Sequence, residues 1–170
     1  MERFYYPFSA IIGQEAAKQA LLIALVNPRS GGLLLSGPKG TAKSTLVRAA
    51  AAFTETGHLA ELPIGSTEDM VFGSIDLEAA LQTGEKKLKP GLLFRAAHTI
   101  LYMDEVNLLR PDFLTAVLDS AANGFFELQC DSFCYREDVC YTAVGTMNPE
   151  EGTVRAAVLD RFVLFVFLEI

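Results

Sequence analysis

The sequence predicts an α/β fold in which helices cover both faces of a largely parallel sheet. Short apolar runs alternate along the chain with segments whose apolar residues recur at helical spacing. The runs are apolar at nearly every position, as in strands buried on both faces, and a glycine-rich turn joins the first run to a helix start. Because 170 residues suffice for one domain with a substantial core, we expect a single domain over residues 1–170.

The first elements follow from hydrophobic periodicity. A stripe of small apolar residues after a turn at Gly13 predicts the first helix, and its members are Ala17, Ala20, Leu21 and Ala24. The apolar run at 33–36 predicts the first strand, the alanine-rich segment at 46–53 a helix, and the segment at 59–64 a second strand.

The stretch between residues 65 and 91 is polar and rich in turn residues. Residues 65–69 predict an acidic turn, 74–81 a short helix, and 83–91 a turn cluster that carries a local basic run. Such a run is more often a solvated loop tip than a contact with a partner.

The second half continues the alternation. A short helix at 92–97 leads to a strand at 100–105. Proline suits the first turn of a helix that begins at Arg110-Pro111 and ends at Gly124. Its buried face repeats every four residues at Phe113, Val117 and Ala121. The remaining elements are a hairpin at 125–128 and 133–135, a strand at 140–146, a helical turn at 156–159 and a strand at 162–168.

The turn after the first strand has the order of a phosphate-binding loop. The residues expected around a bound nucleotide are Gly37, Pro38, Lys39, Gly40, Thr41, Ala42, Lys43, Ser44 and Thr45. Small residues let backbone N–H groups close around phosphates, Lys43 can reach the β- and γ-phosphates, and the Ser44 hydroxyl can bind Mg²⁺. The alternative is a chance turn before an amphipathic helix.

Three residues in or near the loop also bear on nucleotide binding. Ala42 stands where the G-x-x-x-x-G-K-[ST] pattern has its second glycine, and alanine tolerates helical φ, so we expect Ala42 to begin the helix already. Ile11 and Ile12 lie where the chain could fold over the nucleotide base, and ordinary core positions are the alternative for both.

The strand at 100–105 ends in two carboxylates, a second element that hydrolysis of a nucleoside triphosphate requires. We expect Asp104 to hold Mg²⁺ and Glu105 to polarise the attacking water. Two independent elements in the right order argue against a chance match of the loop.

The composition argues against several classes of protein. A formal charge of −7 and a pI near 4.8 argue against binding to duplex nucleic acid. No apolar run approaches the ~20 residues that span a bilayer. Since no secretion signal is evident at the N-terminus, we expect a cytoplasmic or plastid-stromal protein. Cys130, Cys134 and Cys140 lack the spacing of a zinc site, so we expect buried free thiols on the hairpin.

Several stretches together resemble one family, the AAA+ ATPase subunit of magnesium chelatase and its cobalt-chelatase relatives. They cover nearly the whole chain and read PFSAIIGQEAAKQALLIALVNP, GGLLLSGPKGTAKSTLVRA, LPIGSTEDMVFGSIDLEAAL, PGLLFRAAHTILYMDEVNLL, LDSAANG, GTMNPEEG and LDRF. The TEDMVFGSIDLE and NPEEG segments are the most specific. The GTAKS form of the loop, with Ala42, also resembles members of this group.

The resemblance implies a three-layer αβα P-loop core with a mainly parallel five-stranded sheet, assembled as a homo-oligomeric ring such as a hexamer. Such a ring hydrolyses ATP with Mg²⁺ to drive metal insertion into a tetrapyrrole such as protoporphyrin IX by chelatase partner subunits, one of which has a VWA domain. By the same resemblance Asn148 senses the γ-phosphate, Arg161 is an arginine finger for the neighbouring subunit, and Arg155 matches a further family arginine. Residues 68–89 match the helix-2 insert, and 125–135 match the hairpin before the sensor strand.

The chain departs from the family in two places. Arg155-Ala156 and Arg161-Phe162-Val163 stand where the family has arginine-proline and LLDRFG, so the geometry around the finger is expected to differ. The chain also stops at Ile170 without the family's helical lid and second sensor arginine. We expect a fragment rather than a degenerate homologue, because an exposed apolar terminal strand invites aggregation.

Three functions stay open at the level of sequence. The first is the ATP-hydrolysing motor of a metal chelatase, and the second is a MoxR-like AAA+ ring chaperone that remodels or activates partner proteins. The third is an ATP-binding scaffold without turnover. Glu105, Asn148 and Arg161 argue against the scaffold, whereas the missing lid favours it.

Overall fold

The structure, a computed structural model, describes residues 6–76, 87–130 and 133–169. In chain order the strands of this part are β1 Gly32–Ser36, β2 Leu59–Glu61, β3 Gly73–Asp76, β4 Lys87–Pro90, β5 Ile100–Met103, β6 Phe125–Cys130, β7 Phe133–Asp138, β8 Thr142–Met147 and β9 Phe162–Phe167. The α-helices are α1 Glu15–Val26, α2 Lys43–Ala50, α3 Glu68–Phe72, α4 Leu92–Arg95, α5 Pro111–Asn123 and α6 Ala156–Leu159.

Five strands form a parallel sheet in the order β2-β5-β8-β1-β9. Strands that are distant in sequence therefore lie side by side. The carboxyl ends of β1, β5 and β8 meet at one edge, which is where ligands bind in open α/β sheets.

Each face of the sheet carries its own hydrophobic cluster. On one face, α1 and α2 pack on alternate residues of the central strands, such as Leu33 and Tyr102. On the other face, α5 packs on the intervening residues, such as Leu34 and Leu101. This arrangement confirms the predicted three-layer αβα fold with its five-stranded parallel sheet.

The two long helices match their predicted patterns. All four residues of the predicted stripe are buried in α1: Ala17, Ala20, Leu21 and Ala24. In α5 the predicted face is buried at Phe113, Val117 and Ala121. Pro111 occupies the first turn, and Gly124 ends the helix in the left-handed region at φ 78°, which glycine adopts without strain.

Two antiparallel strand pairs flank the main sheet. The pair β6–β7 confirms the predicted hairpin, whose turn lies outside the described residues. The pair β3–β4 was not predicted. Residues 74–76 belong to β3 rather than to a helix, and residues 87–90 of the expected turn form β4. Gly73, at φ 102°, ends α3 and turns the chain into this pair. Residues 77–86 lie outside the described part.

Several predicted boundaries and surroundings need correction. Helix α2 begins at Lys43 rather than at residue 46, and β2 ends at Glu61. Helix α3 begins inside the expected acidic turn, because the Thr67 hydroxyl caps it by accepting from the Met70 N–H at 3.4 Å. The expectation of buried thiols is wrong for Cys134, which is exposed, and Cys140 is half-buried. No helix of the described ranges is long and apolar enough to cross a membrane.

Candidate nucleotide-binding site

The loop between β1 and α2 is anchored at its start by a close approach of two strands. The Gly37 N–H donates to the Met147 carbonyl at the end of β8, at 3.2 Å. A Cβ atom at residue 37 would lie 2.5 Å from the Leu168 carbonyl oxygen, so only glycine fits there. The loop therefore leaves the sheet between β8 and β9 and crosses the carboxyl edge.

A cavity of about 470 Å³ opens at this edge, a size that suits a small-molecule site. It is lined by Lys39, Gly40, Thr41, Ala42, Lys43, Ser44, Thr45, Asp104, Glu105, Thr146, Met147, Asn148 and Glu151. The structure thus brings together most of the predicted loop, both predicted carboxylates and the predicted sensor asparagine.

Lys43, the first residue of α2, folds back onto its own loop. Its Nζ atom donates to the carbonyl oxygens of Gly37 at 2.6 Å and Pro38 at 2.7 Å. Burial lowers the pKa of this ammonium from its ordinary value, while the carboxylates of Asp104 and Glu151 act in the opposite direction. In this geometry the loop's own carbonyls satisfy the positive charge.

Ala42 does not begin the helix, so the expected helical φ is wrong. Its φ of 61° and ψ of 20° lie in the left-handed region, and α2 starts one residue later. A side chain there costs roughly 1–2 kcal/mol relative to glycine, because Cβ approaches the following carbonyl. The loop keeps the shape that the motif's glycine would give and accepts this strain.

The two carboxylates follow β5 directly and differ in their surroundings. Asp104 Oδ1 accepts a hydrogen bond from the Thr146 hydroxyl on β8 at 2.6 Å. Glu105 has φ 51° and ψ 58°, again the left-handed region, and its carbonyl accepts from the Leu108 N–H at 2.9 Å. The backbone thus turns sharply after Asp104, which places both side chains at the cavity.

Asn148 follows β8 and is 8% exposed. Its Oδ1 atom accepts from the Glu150 N–H at 3.2 Å, which orients the side-chain amide. Within the described ranges Nδ2 makes no hydrogen bond to protein, so its hydrogens can serve a ligand. An amide donor at this edge suits an anion.

The residues present fit Mg²⁺ and a nucleotide. The Ser44 hydroxyl and the Asp104 carboxylate are oxygen ligands of the kind that Mg²⁺ prefers. Three carboxylates and two lysines line the cavity, a mixture that suits a phosphate chain accompanied by a divalent cation. Gly40, at φ 93°, lets the loop turn around this space.

Some predicted site residues lie elsewhere. Ile11 is buried in the cluster under α1, whereas Ile12 is 96% exposed. Neither lines the cavity, and their expected position over a base stays a prediction. Gly37 and Pro38 reach the site only through their carbonyls on Lys43. Arg161 pairs with Asp119 of α5, away from this cavity.

Sequence reasoning missed three polar residues of the site, which are Tyr102, Thr146 and Glu151. The Tyr102 hydroxyl bonds Ser44 Oγ at 2.9 Å and lies 3.2 Å from Thr146 Oγ1. A weak signal existed, since Tyr102 and Thr146 each stand two residues before a predicted site residue, and side chains at that spacing share one face of a strand.

Comparison with known proteins gives matches over nearly the whole chain. The model of the AAA domain family (dynein-related subfamily) matches residues 32–162. An uncharacterized protein of Mycobacterium tuberculosis is 48% identical over 168 residues, covering 95% of this chain and 27% of that protein. The magnesium-chelatase subunit ChlI homolog of Methanocaldococcus jannaschii is 39% identical over 203 residues, covering 98% of this chain and 56% of that protein.

Among solved structures, the chain matches one obtained by single-particle cryo-EM, the complex between subunits BchI and BchD of magnesium chelatase. The TM-score is 0.84 with 38% identity, over 98% of this chain and 62% of the other. The chain therefore spans between about a quarter and three fifths of the length of these proteins.

Proposed function

The chain belongs to the AAA domain family, in its dynein-related subfamily, and from this premise we propose that it binds ATP with Mg²⁺ at the carboxyl edge of β1, β5 and β8 and hydrolyses it. The predicted resemblance to magnesium-chelatase subunits is confirmed by identities of 37–39% to such proteins. The observation that carries the proposal is the meeting of Lys43, Asp104, Glu105 and Asn148 at one cavity.

Each residue has one role in this proposal. Lys43 transfers its Nζ from the loop carbonyls to the phosphate oxygens, and the loop N–H groups close around them. Ser44 and Asp104 hold Mg²⁺, which supplies positive charge to the phosphate chain. Glu105 polarises the attacking water, and the Asn148 amide donates to the γ-phosphate.

At the level of the whole protein, we propose a motor subunit of a metal chelatase. The relatives support this, since they include the magnesium-chelatase subunit ChlI of Nostoc and the magnesium-chelatase 38 kDa subunit of Cereibacter sphaeroides. In this proposal, ring-shaped assemblies such as hexamers use ATP to drive magnesium insertion into a tetrapyrrole by partner subunits, in the cytoplasm or the plastid stroma. The BchI–BchD complex supports partners of the chelatase type.

The hydrolysis proposal is tested with Glu105→Gln, which removes the group that polarises water but leaves Ser44 and Asp104 in place. After incubation with ATP, the variant should retain mostly ATP, whereas the wild type should hold mostly ADP. Glu55→Gln is the control, because this carboxylate is 79% exposed and outside the cavity. Normal turnover by Glu105→Gln would contradict the assignment.

The chelatase proposal needs its own measurement. The purified protein is combined with the chelatase subunits of its own source organism, ATP, Mg²⁺ and protoporphyrin IX, and magnesium porphyrin is followed by fluorescence. Product should form with the wild type and not with Glu105→Gln. If ATP is hydrolysed but metal insertion is the same with and without the protein, the ATPase role stands and the chelatase role is wrong.

A further inference from the structure

Three hydroxyl contacts join the two predicted Mg²⁺ ligands. The hydroxyl oxygens of Tyr102 and Ser44 lie 2.9 Å apart, and the Thr146 hydroxyl donates to Asp104 Oδ1 at 2.6 Å. Between them, the oxygens of Tyr102 and Thr146 lie 3.2 Å apart, and either can be the donor. The chain of contacts runs from α2 through β5 and β8 back to the end of β5.

The two middle residues of this series of contacts, Tyr102 and Thr146, lie on paired strands of the sheet. Tyr102 and Thr146 are each 1% exposed. Strands β5 and β8 are paired with Tyr102 opposite Val144. Thr146 is two residues further along β8 and therefore lies on the same face of the sheet as Tyr102. The Arg48 guanidinium of α2 lies 5.7 Å from the centre of the Tyr102 ring and packs against it. A buried hydroxyl without a hydrogen bond lowers the stability of the fold. The hydroxyls of Tyr102 and Thr146 therefore keep their contacts, and these orient the side chains of Ser44 and Asp104.

Counting the hydroxyl hydrogens shows which oxygen donates in each of the three contacts. Three hydroxyls supply three hydrogens for three contacts, and Thr146 already gives its own to the Asp104 carboxylate. With Tyr102 donating to Ser44, the contact between Tyr102 and Thr146 contains no hydrogen. If Ser44 donates to Tyr102 and Tyr102 donates to Thr146, every contact contains one, and hydroxyl hydrogens can rotate to reach this arrangement. The lone pairs of Ser44 Oγ are then left for a cation.

We propose that Tyr102 and Thr146 are positioning residues for Mg²⁺, which align the Ser44 hydroxyl as donor to Tyr102 and hold the Asp104 carboxylate beside it. This proposal rests on the nucleotide site described above. Both hydroxyls act through the two cation ligands, so their effect is on cation affinity and reaches hydrolysis through it.

Matched variants separate this role from general stability. Tyr102→Phe keeps the buried ring and removes only the hydroxyl, and Thr146→Val replaces the Thr146 hydroxyl with a methyl group. Thr146→Ser retains the hydroxyl and should rescue. Tyr141→Phe is the control, because Tyr141 is also 1% exposed and its hydroxyl bonds Ser120 at 2.6 Å and the Val117 carbonyl at 2.7 Å, all outside the cavity lining.

The experiment measures ADP binding by calorimetry, in EDTA and across an Mg²⁺ titration, with thermal unfolding recorded for each variant. Tyr102→Phe and Thr146→Val should shift the Mg²⁺ midpoint upward by about 10- to 100-fold, as do changes behind metal ligands elsewhere. Affinity for ADP in EDTA should stay within about threefold of the wild type, since the loop N–H groups and Lys43 are untouched.

Four other results would overturn either the positioning role or the nucleotide site. An unchanged Mg²⁺ midpoint in Tyr102→Phe, or an equal shift in Tyr141→Phe, overturns the positioning role. A parallel loss of ADP affinity in EDTA assigns the hydroxyls to folding of the loop instead and also overturns it. If the wild type binds no ADP in either condition, the nucleotide site itself is wrong.

Discussion

Arg161, in the turn before β9, forms an ion pair with Asp119 on α5. Both side chains are about 40% exposed, at 41% and 40%. Such a pair contributes under about 1 kcal/mol to stability, so a stronger anion can displace the carboxylate. The pair holds the guanidinium on the surface at α5, outside the nucleotide cavity of the same chain.

This geometry suits an arginine that acts on a neighbouring subunit, as the family resemblance implies. An arginine supplied across an interface stabilises the charge on the transferring phosphoryl group and can contribute ~10³- to 10⁵-fold in rate. Arg161→Ala should therefore bind ATP normally and lose turnover. Asp119→Asn should retain turnover and unfold at nearly the wild-type temperature. Arg95→Ala, at the exposed end of α4, is the control for loss of a surface cation.

Mixing decides between the finger and a simple surface ion pair. Subunits with Arg161→Ala are combined with subunits with Lys43→Ala, each inactive alone. Interfaces that join an intact cavity to an intact arginine should recover part of the activity. The finger is disproved if Arg161→Ala is fully active by itself, or if mixed rings form and recover nothing.

Lys43 should be required for nucleotide binding. Lys43→Ala removes the cation that must exchange the Gly37 and Pro38 carbonyls for phosphate oxygens. Hydrogen bonds to charged groups contribute about 1.5–3 kcal/mol each, so calorimetry should detect no ATP binding. Lys89→Ala on β4, an exposed position, should bind like the wild type. Equal binding by wild type and Lys43→Ala would show that the loop is misassigned.

Motifs at strand ends could be predicted from the sequence, because each is defined by local spacing. The loop residues, Asp104, Glu105 and Asn148 follow apolar runs, and parallel pairing brings those ends together. The Tyr102–Thr146 contact instead depends on the register between β5 and β8, which local patterns do not encode. The sequence predicts a helix at 74–81, but residues 74–76 form β3, because pairing with β4 rather than local pattern decides their conformation.

Ala42 provides a test of backbone strain at the loop. Ala42→Gly relieves the left-handed strain, which raises the free energy of unfolding by about 1–2 kcal/mol. The added freedom of glycine in the unfolded chain lowers it by about 0.4–1 kcal/mol. Urea unfolding should therefore show equal or higher stability. Ala116→Gly, exposed within α5, should instead lose about 1 kcal/mol. Equal losses in the two variants would contradict the left-handed conformation at Ala42.

The last prediction concerns alkaline pH and the same tyrosine that joins Ser44 to Thr146. Burial raises the pKa of Tyr102 from 10.0 to about 12, so the folded protein keeps this hydroxyl protonated after the unfolded chain has released it. At a pH between these two pKa values the unfolded state binds fewer protons than the folded state. The free energy of unfolding therefore falls as pH rises, by up to about 1.4 kcal/mol per pH unit. Tyr102→Phe lacks this proton.

Urea unfolding of both proteins between pH 9 and about 11.5 should therefore show a shallower decline of the free energy of unfolding for Tyr102→Phe, while Tyr141 contributes equally to both. Parallel declines would show that Tyr102 ionises in the folded protein as readily as in the unfolded chain, and that its hydroxyl is not held in the buried contacts with Ser44 and Thr146.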